Sequence, residues 1–300
     1  MTLRLRSDGF VGVFVLVILT LLAGPASAQA ADNPWPDMTG PSAGPAQPIG
    51  KYTAGCLAGG VSVNREHPGL AILRPQRNRY YGHPDVVEVM HHLGDLALEK
   101  GWDPVLVADM AQPRGGPMPS GHKSHQSGLD ADIWFLGDQS PPYDAGWLAK
   151  PKAVSMVRPD KLQADLTLLT EERIQLLMAT AAHARVQRIF VNAAIKKSLC
   201  LARDQGPDVA QRLGLTEQSL RKVRAWWGHD SHFHFRLSCP ANAPDCVAQD
   251  PVPPGDGCDA GLEWWFNAEN LSVVIGGYSG PRPNWPPELP VACAALRTAP

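Results

Sequence analysis

Two stretches of this sequence gather side chains that hold metal ions and move protons. WWGHDSHFHFRL, residues 226–237, places His229, His232 and His234 within six positions. GHKSHQSGLDADIW, residues 121–134, carries His122, His125, Asp130 and Asp132. Histidine and aspartate are good zinc ligands, and a catalytic zinc commonly takes three protein ligands and keeps one position for water. Imidazole also titrates near neutral pH, so the same residues could shuttle protons. In a chain with ten histidines, the first stretch alone does not separate a metal site, a proton shuttle and a histidine-rich strand.

Strand geometry sharpens both clusters. Side chains alternate faces along a strand. In HFHFRL, His232, His234 and Arg236 share one face, and Phe233, Phe235 and Leu237 share the other, which should enter the core. Asp130 and Asp132 likewise share a face in DADIWF, with Trp134 beside them. Two carboxylates inside an apolar strand are costly to bury unless they are paired or bind a cation. One strand could supply Asp132, its leading loop His125 and the second strand His234. Spacing alone does not select three ligands from these candidates.

The elements that must carry these strands are readable in outline. His83–Lys100 has Val86, Val87, Met90, Leu93, Leu96 and Ala97 at helical spacing, with Gly101 closing it. His91 and His92 lie on this helix and read as surface or packing residues. Residues 104–110 (PVLVADM) and 130–135 read as strands separated by a Pro-, Gly- and Ser-rich loop. Residues 170–184 read as a helix with Thr170 as N-cap and Glu171 and Glu172 in its first turn. A strand at 188–191, a helix at 193–201 and a strand within 226–237 complete the series. Strands and helices mix without regular βαβ alternation. The fold class expected is α+β: a central antiparallel sheet flanked by helices, with a disulfide-stapled C-terminal extension.

The chain opens with Arg4 and Arg6, an apolar run from Phe10 to Leu22 and the small-residue exit Ala26-Ser27-Ala28. This is the pattern of a secretory signal over residues 1–28. Residues 29–50, rich in Pro, Gly and Ala, read as a flexible N-terminal arm, and 51–300 as one domain with its tail at 238–300. No later stretch is apolar enough to span a membrane. The net charge of −2 and the lack of a basic stripe give no case for nucleic acid. Six cysteines in an exported chain read as three disulfides, with fifteen pairings possible in principle. No C-x-x-C occurs, which argues against a cysteine zinc site. Cys239 and Cys246 are close enough to need only a local turn.

The string from Gly121 to Trp134 resembles the signature of the penicillin-insensitive murein endopeptidases. These belong to a wider metallopeptidase group with lysostaphin-type enzymes, D-Ala-D-Ala peptidases and the hedgehog fold. That group's pattern is a His, six residues, an Asp, then a distant His-x-His. Here His125, Asp132 and His232-Phe233-His234 fill it. The resemblance runs from about Tyr52 through Cys293 and includes RIFVN (188–192), KVRAWWGH (222–229) and the cysteine spacings.

The resemblance implies His125, Asp132 and His234 as zinc ligands and His232 as the histidine that assists catalysis. His122 and Asp160 are implied accessory positions for further zinc. Gln163 stands where family members can carry a histidine, so one zinc is expected and a second is left open. The implied disulfides are Cys56–Cys293 and Cys200–Cys258, beside Cys239–Cys246. The implied substrate is peptidoglycan, cut at the D-Ala–meso-diaminopimelate crosslink in the periplasm. Zinc on three protein ligands lowers the pKa of water toward ~7. No H-E-x-x-H supplies a glutamate base, so His232 is the candidate to shuttle the proton or to stabilise the transition state. No active serine is used, hence no target for penicillin. The rival readings are a D,D-carboxypeptidase or dipeptidase of the same group, and a non-catalytic peptidoglycan-binding protein with structural zinc.

Overall fold

The computed structural model describes residues 33–119, 122–276 and 286–298. The signal expected over 1–28 lies outside them. A 3₁₀ turn, Trp35–Asp37, precedes a hairpin of β1 (Gln47–Lys51) and β2 (Ala54–Ala58). Next come β3 (Val61–Ser62), β4 (Leu70–Ile72), a 3₁₀ turn at Pro75–Arg77, and β5 (Tyr81–Gly82), which pairs with β3. Helix α1 (Pro84–Lys100), β6 (Val105–Val107), β7 (Asp130–Trp134), α2 (Ala145–Ala149) and α3 (Glu171–Ala182) follow. After β8 (Val186–Val191) the chain forms α4 (Ala193–Arg203), α5 (Pro207–Leu213), α6 (Glu217–Lys222), β9 (Val223–Ala225) and β10 (His232–Leu237). The tail holds α7 (Ala260–Glu263), α8 (Leu271–Gly276) and α9 (Ala292–Thr298). None of the helices among the described residues is long and apolar enough to cross a membrane.

The protein is α+β, and its main sheet has the order β4-β6-β7-β10-β8-β9. The four inner strands run antiparallel, as the sequence suggests. The two outer pairs, β4 with β6 and β8 with β9, are parallel. Parallel neighbours need a crossover, and helices supply it. Helix α1 connects β4 to β6, and α4 to α6 connect β8 to β9. The edge strands β4 and β9 are three residues each, too short to show a period in the sequence.

Local chemistry sets the boundaries of α1. The His83 ring accepts a hydrogen bond from the Asp85 amide at 3.2 Å, Pro84 takes the first helical position, and Gly101 closes the helix at φ 67°. Its apolar face, with Val86, Met90, Leu93 and Ala97, is buried in the main core. Phe233, Phe235 and Leu237 of β10 enter the same core beside Ala131 and Ile133 of β7. That leaves the opposite face of β7 and β10 for the polar residues. The helix expected at 170–184 is present as α3, but Thr170 makes no side-chain cap; its Oγ1 lies 3.3 Å from Arg173 Nη1.

The stretch expected as an N-terminal arm packs against the domain from Asn33 onward. Trp35 is buried with Ile49, Cys56, Cys293 and Leu296. Gly116, at φ 76°, gives it room: a Cβ there would stand 2.1 Å from the Trp35 ring. Disulfides join Cys56 to Cys293, Cys200 to Cys258 and Cys239 to Cys246. Polar ties reinforce the tail. Lys196 is fully buried and donates to Leu220 O at 2.9 Å and Asp256 O at 2.6 Å. Burial, and then the charges of Arg224 and Arg203, lower its pKa to about 7.

The Cys56–Cys293 bridge closes a loop of 237 residues and joins the hairpin to α9. Removing a native bridge costs roughly 2–5 kcal/mol in small secreted domains. Cys56→Ser and Cys293→Ser should lower the free energy of unfolding in denaturant titration equally, within that range. The double variant should be no worse than either single, and additive losses would contradict the bridge.

Candidate metal centre

Strands β7 and β10 pair antiparallel with His234 opposite Asp132, Arg236 opposite Asp130 and His232 opposite Trp134. This register merges the two sequence clusters into one. All five residues of β7 are buried, so both carboxylates sit inside the protein. His125 arrives from the loop before β7, on a left-handed backbone (φ 66°) that the surrounding structure must hold.

Asp132 lies between two imidazoles. Its Oδ1 accepts a hydrogen bond from His234 Nδ1 at 2.8 Å, and its Oδ2 stands 3.3 Å from His125 Nε2. The His125 and His234 rings are 4.9 Å apart. Asp130 sits behind them. Its Oδ2 is 3.1 Å from His234 Nε2 and accepts the His125 amide at 3.3 Å. Its Oδ1 is buried with no hydrogen-bond partner among the described residues. Arg236 closes this side, with Nε 3.2 Å from His234 Nε2.

Two overlapping sets offer ligand atoms within 4.8 Å of one another: His122, His125 and Asp132, and His125, Asp130 and His234. Buried imidazoles and carboxylates at this separation, with one orphaned carboxylate oxygen, fit a divalent cation of the zinc type. His125 is common to both sets.

The remaining candidates separate. His232 Nε2 is 3.8 Å from Asp132 Oδ2, beside the cluster. His122 Nδ1 is 3.6 Å from Asp132 Oδ2, and its Nε2 is 3.1 Å from Asp109 Oδ2. Asp160 lies apart: it is exposed in a turn, and its Oδ1 accepts the Leu162 amide at 2.9 Å. No metal-ligating group found among the described residues includes it. His91 stacks on His67 and His92 packs against His183, both outside the site.

Two residues of the site were given no role from sequence. Asp109, beyond the end of β6, partners His122. The signal was available, since Asp109 also interrupts an apolar run, PVLVADM. His229 is the other. Its ring lies 4.9 Å from that of His232, and its Nδ1 is 2.7 Å from Trp227 O, which assigns the proton to Nδ1.

The charges follow from burial and pairing. Burial opposes the charged form of His125, but Asp132 and Asp130 outweigh it and raise its pKa to about 9. Burial likewise opposes ionisation of Asp132, yet His125 and His232 hold it well below the usual carboxylate range. Asp130 is lowered too, against its burial, by His125 and His234. His232 and His122 are lowered chiefly by burial. His229 is lowered to about 3, by burial and then by His232 and His234, so it is neutral at physiological pH. The centre therefore holds two ionised aspartates beside neutral imidazoles at its mouth.

An α+β domain here carries a buried His/Asp cluster that could hold a metal ion. A family model described as penicillin-insensitive murein endopeptidase matches residues 48–298. The chain is 40% identical over 282 residues to a protein of that name from Klebsiella pneumoniae subsp. pneumoniae, covering 94% of this chain and 96% of that one. It is 41% identical over 281 residues to one from Yersinia enterocolitica, covering 93% and 94%, and 38% identical over 281 residues to one from Escherichia coli, covering 94% and 96%. The chain belongs to the penicillin-insensitive murein endopeptidase family.

Asp130 is the residue whose removal should be felt first in stability. It is fully buried and faces His125, His234 and Arg236. Breaking a buried ionic cluster by deleting one partner costs about 3–5 kcal/mol. Asp130→Ala should lose that much in denaturant unfolding; an unchanged midpoint would contradict the contacts described.

Proposed function

We propose that this chain is a zinc-dependent murein endopeptidase that hydrolyses the D-Ala–meso-diaminopimelate crosslink of peptidoglycan, in the periplasm, after removal of an export signal at residues 1–28. One observation carries the reading. A buried aspartate, Asp132, touches both His125 and His234, in a chain of this family. His125, Asp132 and His234 would hold the zinc, and one ion is sufficient. His122, which faces both Asp109 and Asp132, is an accessory candidate for a further ion, whereas Asp160 lies apart in an exposed turn.

His125, Asp132 and His234 would hold the ion, which when bound would supply Lewis acidity and lower the pKa of water toward ~7. The chain's own groups do the rest. His232 borders the centre at 3.8 Å from Asp132, and its side chain is 23% exposed. Burial lowers its pKa, so it is neutral and able to take a proton from the attacking water, then deliver it to the leaving amine. His229 keeps its proton on Nδ1 toward Trp227 O, which leaves Nε2 as an acceptor on the same wall. Asp130 faces the opposite ring nitrogens, His125 Nδ1 at 3.7 Å and His234 Nε2 at 3.1 Å, and steadies both imidazoles from behind.

Metal content separates ligand from proton carrier. His125→Ala, Asp132→Ala and His234→Ala should each bind far less than one equivalent of zinc by elemental analysis. His232→Ala should keep its zinc and lose about 10²-fold or more in turnover of crosslinked muropeptide. Full zinc and activity in His234→Ala would overturn the ligand assignment. Zinc loss in His232→Ala equal to that of the His234 variant would make His232 a ligand.

A further inference from the structure

The segment between β4 and β5 carries Arg74, Arg77 and Arg79, and all three reach one carboxylate. Arg79 Nη1 lies 3.4 Å from Asp109 Oδ1, and Arg77 and Arg74 Nη1 lie 3.7 and 3.8 Å from Oδ2. Asp109 is 2% exposed. Three positive charges against this one negative charge leave a surplus of two. The patch is not remote from the centre. The same Oδ2 faces His122 Nε2 at 3.1 Å, and His122 Nδ1 is 3.6 Å from Asp132. Two side chains therefore separate the arginines from a proposed metal ligand.

The three guanidiniums are held differently. Arg79 is buried. Arg74 lies over the Trp134 ring at 4.7 Å, on the strand that carries Asp132. Arg77 is 40% exposed along its side chain. Its distance to Asp109 is beyond hydrogen-bond length, and its guanidinium has no hydrogen-bond acceptor among the described residues. A guanidinium offers a planar fork of donors that matches a carboxylate. Here that fork is presented to solvent, joined to Asp132 only through Asp109 and His122.

The backbone that presents it is strained on both sides. Arg74 and Asn78 adopt left-handed conformations, φ 52° and 55°, that side chains other than glycine rarely adopt. The Arg74 amide is tied to Leu148 O at 2.7 Å and Asn78 Nδ2 to Thr39 O at 3.1 Å. Strain held in place by outside contacts is typical of segments that position a binding group.

The geometry points to Arg77, backed by Arg74, as the receptor for a free carboxylate of the crosslink peptide, so that this side of the centre selects an acidic peptide. The inference rests on the murein reading and adds a substrate-recognition residue to it. Asp109 acts as the buried counter-charge that keeps the arginines together without filling the Arg77 fork.

The test uses the full mature protein with zinc, on two substrates: a crosslinked muropeptide with free carboxylates and the same peptide with those carboxylates amidated. Arg77→Ala should raise KM for the free-acid substrate by about tenfold or more, with a much smaller change in kcat. Arg77→Glu should raise it further and Arg77→Lys should recover most of it. On the amidated substrate, the KM of wild type should rise to that of Arg77→Ala, and the variants should converge. An equal rise in KM on both substrates, a fall in kcat alone, or an Arg77→Glu enzyme equal to wild type would each overturn the inference. Wild type that cleaves both substrates alike overturns only the carboxylate receptor. Wild type that cleaves neither overturns the murein reading beneath it.

Discussion

A carboxylate buried in the middle of an apolar strand is the constraint on which this structure turns. Asp132 has almost no contact with water, and an ion in that position is tolerated only with close partners. His125 and His234 are those partners, one on each oxygen. To deliver them, β10 must pair with β7 in one register, and the loop before β7 must place His125 on a left-handed backbone. A slip of one residue in that pairing would exchange His234 for a phenylalanine and turn the histidine face into the core. The apolar face of β10 prevents this, since Phe233 and Phe235 are fully buried among Ile133, Ile189 and the α1 residues. Site and core are thus two sides of the same strand pair.

The rest of the chain supports that pair from its edges. Helix α1 and the run from α4 to α6 act as crossovers that bring the parallel edge strands home. The tail, which has little core of its own, is joined to α4 by Cys200–Cys258 and to the hairpin by Cys56–Cys293. Its Trp264 and Trp265 rings meet Trp227, whose carbonyl orients His229. A segment far along the chain therefore steadies the wall of the centre.

Much of this was legible in particular residues. Pro84 and Gly101 mark the ends of α1, and the alternation in HFHFRL separates its core face from its polar face. The closeness of Asp130 and Asp132 to the histidines followed from the cost of burying two acids in one strand. Other features had no local signature. Which strands pair, and the parallel direction at both edges, depend on contacts between segments distant in the chain. Asp109 carried the same signal as Asp130 but stood at the end of its strand, where a polar residue looks ordinary. His229 lies on a left-handed turn, outside the alternation that assigned faces to His232 and His234. Asp160 was named only through resemblance, and it sits in an exposed turn of its own.

The central claim is that the buried His/Asp centre binds zinc and cuts the crosslink of murein. Mass analysis of purified sacculi digested with the protein, with and without chelator, tests bond, product and metal together. Crosslinked dimers should fall to monomers whose masses place the cut between D-Ala and meso-diaminopimelate; chelator should stop this and added zinc restore it. Release of free D-Ala from uncrosslinked peptides with dimers intact, or cleavage that chelator leaves untouched, would contradict it.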